Sequence, residues 1–153
     1  MDFELSLQSE TVQSAYPQPP REVPPDWSVS RVIRKMREEK TGMLLVVEGG
    51  RLRGVFTERD AVQMLASGAD LNGPVAASMT PAPVGVGPRA AVGEAIEKMA
   101  RGGYRHLPVL DGQTPVGIVA TKGVVHYLVD HFPDTIYNLP PDPSEPAGDR
   151  EGA

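Results

Sequence analysis

Apolar positions along this chain change period in a fixed order. Val29, Val32, Ile33 and Met36 recur at i, i+3, i+4 and i+7 behind Ser28, a good N-cap, and predict a helix with one buried face. Residues 43–47 then form an apolar run too short for a helix and suited to a buried strand. Glu48-Gly49-Gly50-Arg51 reads as a tight hairpin turn, because glycine accepts the positive φ such turns need. The returning strand is 52–56, and a second helix follows with Ala61, Val62 and Leu65 expected on its buried side. Upstream, the proline-punctuated stretch 17–25 leaves room for a short edge strand at Val23. The unit is β-α-β-β-α.

The same order returns 63 positions later. Helix residues Val92, Ala95, Ile96 and Met99 precede a Gly102-Gly103 stop, and strands over 106–110 and 115–119 flank the turn Asp111-Gly112-Gln113-Thr114. A further helix buries Val124, Val125 and Leu128, and Val86 is the second candidate edge strand. Aligning 12–65 with 75–128 needs no gap and gives 14 identities in 54 pairs, where about 3 would arise from ordinary residue frequencies. Two copies are too few for a solenoid, so a closed pair with a pseudo-twofold axis and a ligand-sized cleft between halves is expected. The fold class is α+β. The units are 10–67 and 73–130, sharing a core, followed by 131–153 as a clasp and then an acidic tail, disordered beyond Asp142.

Charge narrows the partners. The net charge is −5, of which residues 131–153 carry −4, so the repeats are nearly neutral and lack the basic face of a nucleic-acid binder. With no cysteine there are no disulfides, thiolate metal sites or Cys nucleophile. The N-terminal residues lack a signal-peptide pattern, and no run has the length of a membrane span, so a cytoplasmic location is expected.

Candidate chemistry concentrates in Gly54-Val55-Phe56-Thr57-Glu58-Arg59-Asp60, at a strand-to-helix junction. Thr57 stands at the N-cap and Asp60 returns to the same side one turn later. A helix N-terminus favours anions while an adjacent carboxylate repels them, which suits a ligand carrying both a phosphate and a diol, such as ribose. The plainer reading is a capped helix whose Asp60 complements the dipole. The 63-residue shift puts Ala120 and Gly123 opposite Thr57 and Asp60, so the second copy has lost the pair. Arg105, His106 and Lys122 supply a different polar set there, able to serve phosphate oxygens if they converge. His126 and His131 have no metal-like partners, and no catalytic constellation or metal site is recognisable, so an enzyme is not expected.

Three segments resemble tandem CBS domains, the cystathionine beta-synthase type of regulatory repeat. They are Val75-Ala76-Ala77-Ser78-Met79-Thr80-Pro81-Ala82-Pro83-Val84, Gly103-Tyr104-Arg105-His106-Leu107-Pro108-Val109 and the Gly54 to Asp60 motif, in family order within 10–130. The resemblance implies two units packed through their sheets, often assembled as disc-like homodimers, and adenosine-nucleotide sensing without catalysis. It maps a phosphate-side hydroxyl to Thr57, the ribose carboxylate to Asp60 and the base environment to Val55 and Phe56, with Gly54 in the same motif. Arg105, His106 and Lys122 match positions where related pairs contact phosphate. AMP, ADP, ATP and S-adenosylmethionine are the candidate ligands, no cofactor is required, and the effector protein is unspecified. A ligand-free dimerisation scaffold is the competing expectation. The 131–141 segment also resembles the tail of small stand-alone bacterial CBS proteins.

Overall fold

In the computed structural model, which describes residues 7–137, each half contains the expected unit. The first has β1 (Glu22–Val23), α1 (Val29–Glu39), β2 (Met43–Glu48), β3 (Arg51–Thr57) and α2 (Glu58–Ser67). After β4 (Thr80–Pro81), the second has α3 (Val92–Gly102), β5 (His106–Asp111), β6 (Thr114–Ala120) and α4 (Thr121–His131), with α5 (Pro133–Tyr137) behind it. The first sheet runs β1-β2-β3-β4, parallel at β1/β2 and antiparallel elsewhere. The β5-β6 pair is extended by single bridges, Val86 to Val109 and Gln18 to Ile118, which repeat the roles of β1 and β4. A register shift falls at Val46/Val47 and again at Val109/Leu110, the same place in both copies.

Local chemistry accounts for these elements. Ser28 Oγ accepts from Arg31 N at 3.2 Å and starts α1, while Lys40, at φ 51°, ends it. The hairpins turn on Gly49 and Gly50, at φ 60° and 76°, and on Gly112, at φ 65°. Strand alternation divides the apolar residues between two faces. Leu44, Val46 and Phe56 lie under Val29, Val32, Met36 and Ala61 in the first core, and Leu107, Val109 and Val119 lie under Val92, Ala95, Met99 and Tyr127 in the second. The opposite faces meet between the repeats through Met43, Leu45, Val55 and Ile118.

The repeats also exchange their lead-in segments. Val12, in the 3₁₀ turn Val12–Ala15, is buried in the second core, and its equivalent Val75 is buried in the first. The backbone bonds repeat the exchange: Val12 N to Ala90 O (2.9 Å) and Val92 N to Glu10 O (2.8 Å) match Val75 N to Trp27 O (2.7 Å) and Val29 N to Gly73 O (3.0 Å). Each unit is thus completed by chain belonging to the other; each repeat keeps its own core, and a smaller apolar cluster joins them.

The second helices depart from the sequence pattern. Val62, Leu65 and Val125 are 64%, 60% and 49% exposed, and Leu128 is only partly buried. Capping at Thr57 sets the phase of α2 so that Ala61 and Met64 face the sheet, and in α4 Val124 and Tyr127 do so. Ile33 and Ile96 flank the cores as partly buried residues. Phe132 packs against the second core, while Pro133–Tyr137 has no buried residue; the tail expected beyond Tyr137 lies outside the described residues.

Candidate functional site between the repeats

Strand β3 ends at the inter-repeat face and hands the chain to α2 through Thr57. Thr57 N and Thr57 Oγ1 both donate to Asp60 Oδ2, at 2.9 and 3.1 Å, and Asp60 N donates back to Thr57 Oγ1 at 3.3 Å. This reciprocal capping box satisfies the helix start. Both contacts to the carboxylate fall on Oδ2, which leaves Oδ1 without a hydrogen bond among the described residues.

His106 begins β5 on the face turned toward the first repeat, at the position equivalent to Met43. Its ring lies against Gly42, where a Cβ would come within 2.7 Å of His106 Cε1 and 3.3 Å of Glu58 Oε1. Gly42 O in turn accepts from Glu58 N at 3.2 Å, so the ring sits beside the first turn of α2. Burial holds the imidazole below its ordinary 6.5, with Glu58 opposing that shift and Arg105 reinforcing it. The structure therefore joins His106 of the second repeat to the Thr57-Glu58-Asp60 turn of the first. Glu58 and Gly42 escape the sequence reading; the signal available was that Gly42 aligns with Arg105 and Met43 with His106.

The remaining candidates fall into different places. Gly54 lets β4 approach, since a Cβ there would lie 2.6 Å from both Thr80 O and Met79 Sδ. Val55 is buried between the sheets, and Phe56 is fully buried on the opposite face beneath the helices. Strand alternation turns the Phe56 side chain into the first core, so only its backbone faces the cleft. Arg105 is exposed, and its carbonyl accepts from Thr121 N at 2.9 Å and Thr121 Oγ1 at 3.3 Å. Lys122 follows on the exposed first turn of α4, and no hydrogen bond or ion pair among the described residues involves it.

The equivalent turn of the second repeat is closed. Ala120 makes no cap bond, and a Cβ on Gly123 would lie 2.5 Å from the carbonyl oxygen of Ala15 and 3.4 Å from that of Tyr16. The exchanged lead-in occupies the space a side chain there would need. Tyr16 is held in place by its hydroxyl, which donates to Asp130 Oδ2 at 2.7 Å. Two surface hollows lie elsewhere, one of about 270 Å³ beside Gln18, Pro19 and Gly117 and one of about 300 Å³ beside Trp27 and Arg34; neither includes Thr57, Asp60 or His106. Among the described residues no group of three His, Cys, Asp or Glu side chains is arranged to hold a metal ion, and no helix is long and apolar enough to cross a membrane.

Two pseudo-symmetric units with exchanged lead-ins and a polar turn facing the neighbouring repeat define a tandem-repeat α+β protein. The CBS domain family profile matches residues 16–67 and 74–130, and the chain belongs to that family. It is 33% identical over 110 residues to an uncharacterized 17.7 kDa protein of Acidianus ambivalens, covering 71% of this chain and 66%, just under two thirds, of that one. It is 34% identical over 99 residues to the CBS domain-containing protein YhcV of Bacillus subtilis, covering 64% of this chain and 71% of the relative. Among solved structures, CBSX2 in complex with AMP superposes with a TM-score of 0.67 at 26% identity, covering 78% of this chain and 96% of its own.

Proposed function

We propose that the chain is a regulatory module that binds one adenosine-type ligand per chain in the cleft beside the start of α2 and passes its occupancy to a partner protein. The observation that carries the reading is the asymmetry between equivalent turns: one keeps a hydroxyl, a carboxylate with a free oxygen and a facing imidazole, while the other is filled by the Ala15 carbonyl. A carboxylate offers a ribose diol two acceptors, and the exposed amides of a helix start favour phosphate. In this reading Asp60 Oδ1 takes the ribose hydroxyls, Thr57 faces the phosphate side, and His106, Arg105 and Lys122 supply charge from the other repeat. Val55 and the backbone of Gly54 and Phe56 border the base. The AMP complex of CBSX2 supports this class of ligand, with ADP, ATP and S-adenosylmethionine as the other candidates.

Because the ligand touches both repeats, it favours whichever relative orientation lets both sets engage, which is the way occupancy becomes a signal. Calorimetric titration with AMP, ADP, ATP and S-adenosylmethionine tests the proposal. Saturation at one ligand per chain is expected. No heat with any of the four refutes it and favours the ligand-free scaffold, a reading supported by the capping box, in which Thr57 and Asp60 already satisfy each other.

A further inference from the structure

Glu58 stands at the first position of α2, and its carboxylate turns toward the neighbouring repeat. Its Oε1 lies 3.3 Å from the Cβ position of Gly42, the same point that His106 approaches to 2.7 Å through Cε1 and 3.3 Å through Nε2. No ion pair neutralises it among the described residues. An acidic residue at a helix start ordinarily complements the dipole. Here Asp60 already does so, and α1 and α4 form with no acidic residue in their first turns. Thr121 holds the equivalent position in the second repeat, where its N donates to Arg105 O at 2.9 Å as Glu58 N donates to Gly42 O at 3.2 Å. The backbone turn is thus the same with a neutral side chain, and the Glu58 carboxylate has no structural task in it.

The donors of the same turn are nearly all taken. Thr57 N and Asp60 N are bonded within the capping box, the Thr57 hydroxyl donates to Asp60 Oδ2, and Glu58 N is held by Gly42 O. That leaves Arg59 N as the first-turn amide with no hydrogen bond among the described residues. A single phosphate can take this amide with support from Arg105, His106 and Lys122 across the cleft. A second or third phosphate finds no further fixed donor on the turn and comes under the field of Glu58.

We propose that Glu58 sets the phosphate count of the ligand, so that the cleft takes a nucleoside monophosphate in preference to the diphosphate and triphosphate. The inference rests on the cleft reading given above and narrows its phosphate-bearing candidates to AMP. Each further phosphate adds roughly one negative charge. Near a protein surface a like-charge pair a few Å apart changes affinity by about tenfold. Arg105 and Lys122 attract phosphate, but they are exposed side chains of the other repeat and serve the first phosphate of all three nucleotides alike. Discrimination between the nucleotides therefore falls to the carboxylate on the turn itself.

Calorimetric titration of the full chain with AMP, ADP and ATP tests it, in magnesium-free buffer at about pH 8, where the phosphates are fully ionised. The wild type is expected to bind AMP at least about tenfold more tightly than ATP, with ADP between them. In Glu58→Gln the preference for AMP over ATP is expected to shrink by at least about fivefold, mainly through tighter ATP binding. Glu58→Thr, which installs the residue of the equivalent turn, should behave alike and replaces Glu58→Gln should circular dichroism show that variant unfolded. ATP binding as tightly as AMP in the wild type, or a preference unchanged in the folded variants, overturns the role of Glu58 while the cleft reading stands. A wild type that gives no heat with any of the three nucleotides overturns the cleft reading for phosphate-bearing ligands, and the inference falls with it.

Discussion

Asp60 has two separable roles, and substituting it tests both. In the folded chain its carboxylate closes the capping box on α2, through bonds of 2.9 and 3.1 Å to Thr57. Replacement by Ala removes that box, for which capping losses of about 0.5 to 2 kcal/mol are usual. For a chain of this size each kcal/mol moves Tm by about 2–4 °C, so Asp60→Ala should melt about 1–8 °C lower. Binding should suffer more: each charge-assisted bond to a ribose hydroxyl is worth about 1.5–3 kcal/mol, so even one lost bond weakens AMP at least about tenfold. Asp60→Asn separates the effects, since its amide oxygen still accepts from Thr57 N but carries no charge. Its melting point should lie near that of the wild type while its AMP affinity falls toward that of Asp60→Ala. Calorimetry and thermal melts on the three proteins decide the matter. Wild-type affinity in Asp60→Ala would refute the ligand role, and a melting point unchanged in Asp60→Ala would refute the capping account.

Met36, 6% exposed in the first core, should cost about 2–5 kcal/mol when replaced by Ala, read from urea unfolding. Gly123→Ala gains about 1 kcal/mol of helix propensity but drives a Cβ to 2.5 Å from a backbone oxygen; overpacking of about 1–3 kcal/mol wins, and a stabilised variant would contradict the packing. His106, held neutral by burial, contributes stability above pH 6.5 that is lost as pH falls through its lowered folded value. A phosphate beside it favours the imidazolium, so AMP binding takes up a proton and tightens as the pH is lowered from about 8 to about 6. Calorimetry on His106→Gln should show a flatter dependence, and an unchanged slope would remove His106 from the phosphate side.

The elements were legible wherever a period or a turn residue specified them locally. Val29 to Met36 stands on a single helical face behind Ser28, and the glycine turns occur where positive φ is required. The site was legible only in part. The Thr57-Asp60 spacing predicts a capped turn, and the loss of both groups at Ala120 and Gly123 predicts asymmetry between repeats. Strand alternation signals that Val55 and Phe56 face opposite ways, but nothing local tells which face meets the other repeat or that His106 rests on Gly42, because those contacts depend on how the sheets oppose. The second helices show the same limit. Val62 and Val125 are identical across the repeats and apolar, which favours burial, yet their phase about the helix depends on the cap and on the sheet beneath.

The exchange of lead-ins ties the asymmetry of the cleft to the architecture. Residues 12–16 leave the second core and pass beside Gly123 before the chain enters β1 of the first repeat, so the chain that completes the second repeat also fills its turn. The reciprocal segment, from Val75 through β4, crosses at Gly54, as Pro17 and Gln18 cross at its equivalent Gly117. Gln18 pairs with Ile118, whereas its equivalent Pro81 pairs with Gly54, one residue out of register with the repeat. A one-residue slip in a strand alters which face each side chain and carbonyl meets. The packing at Gly123 is incompatible with the group Asp60 supplies in the first repeat, since a carboxylate at 123 would have to displace the Ala15 carbonyl before it could reach any ligand.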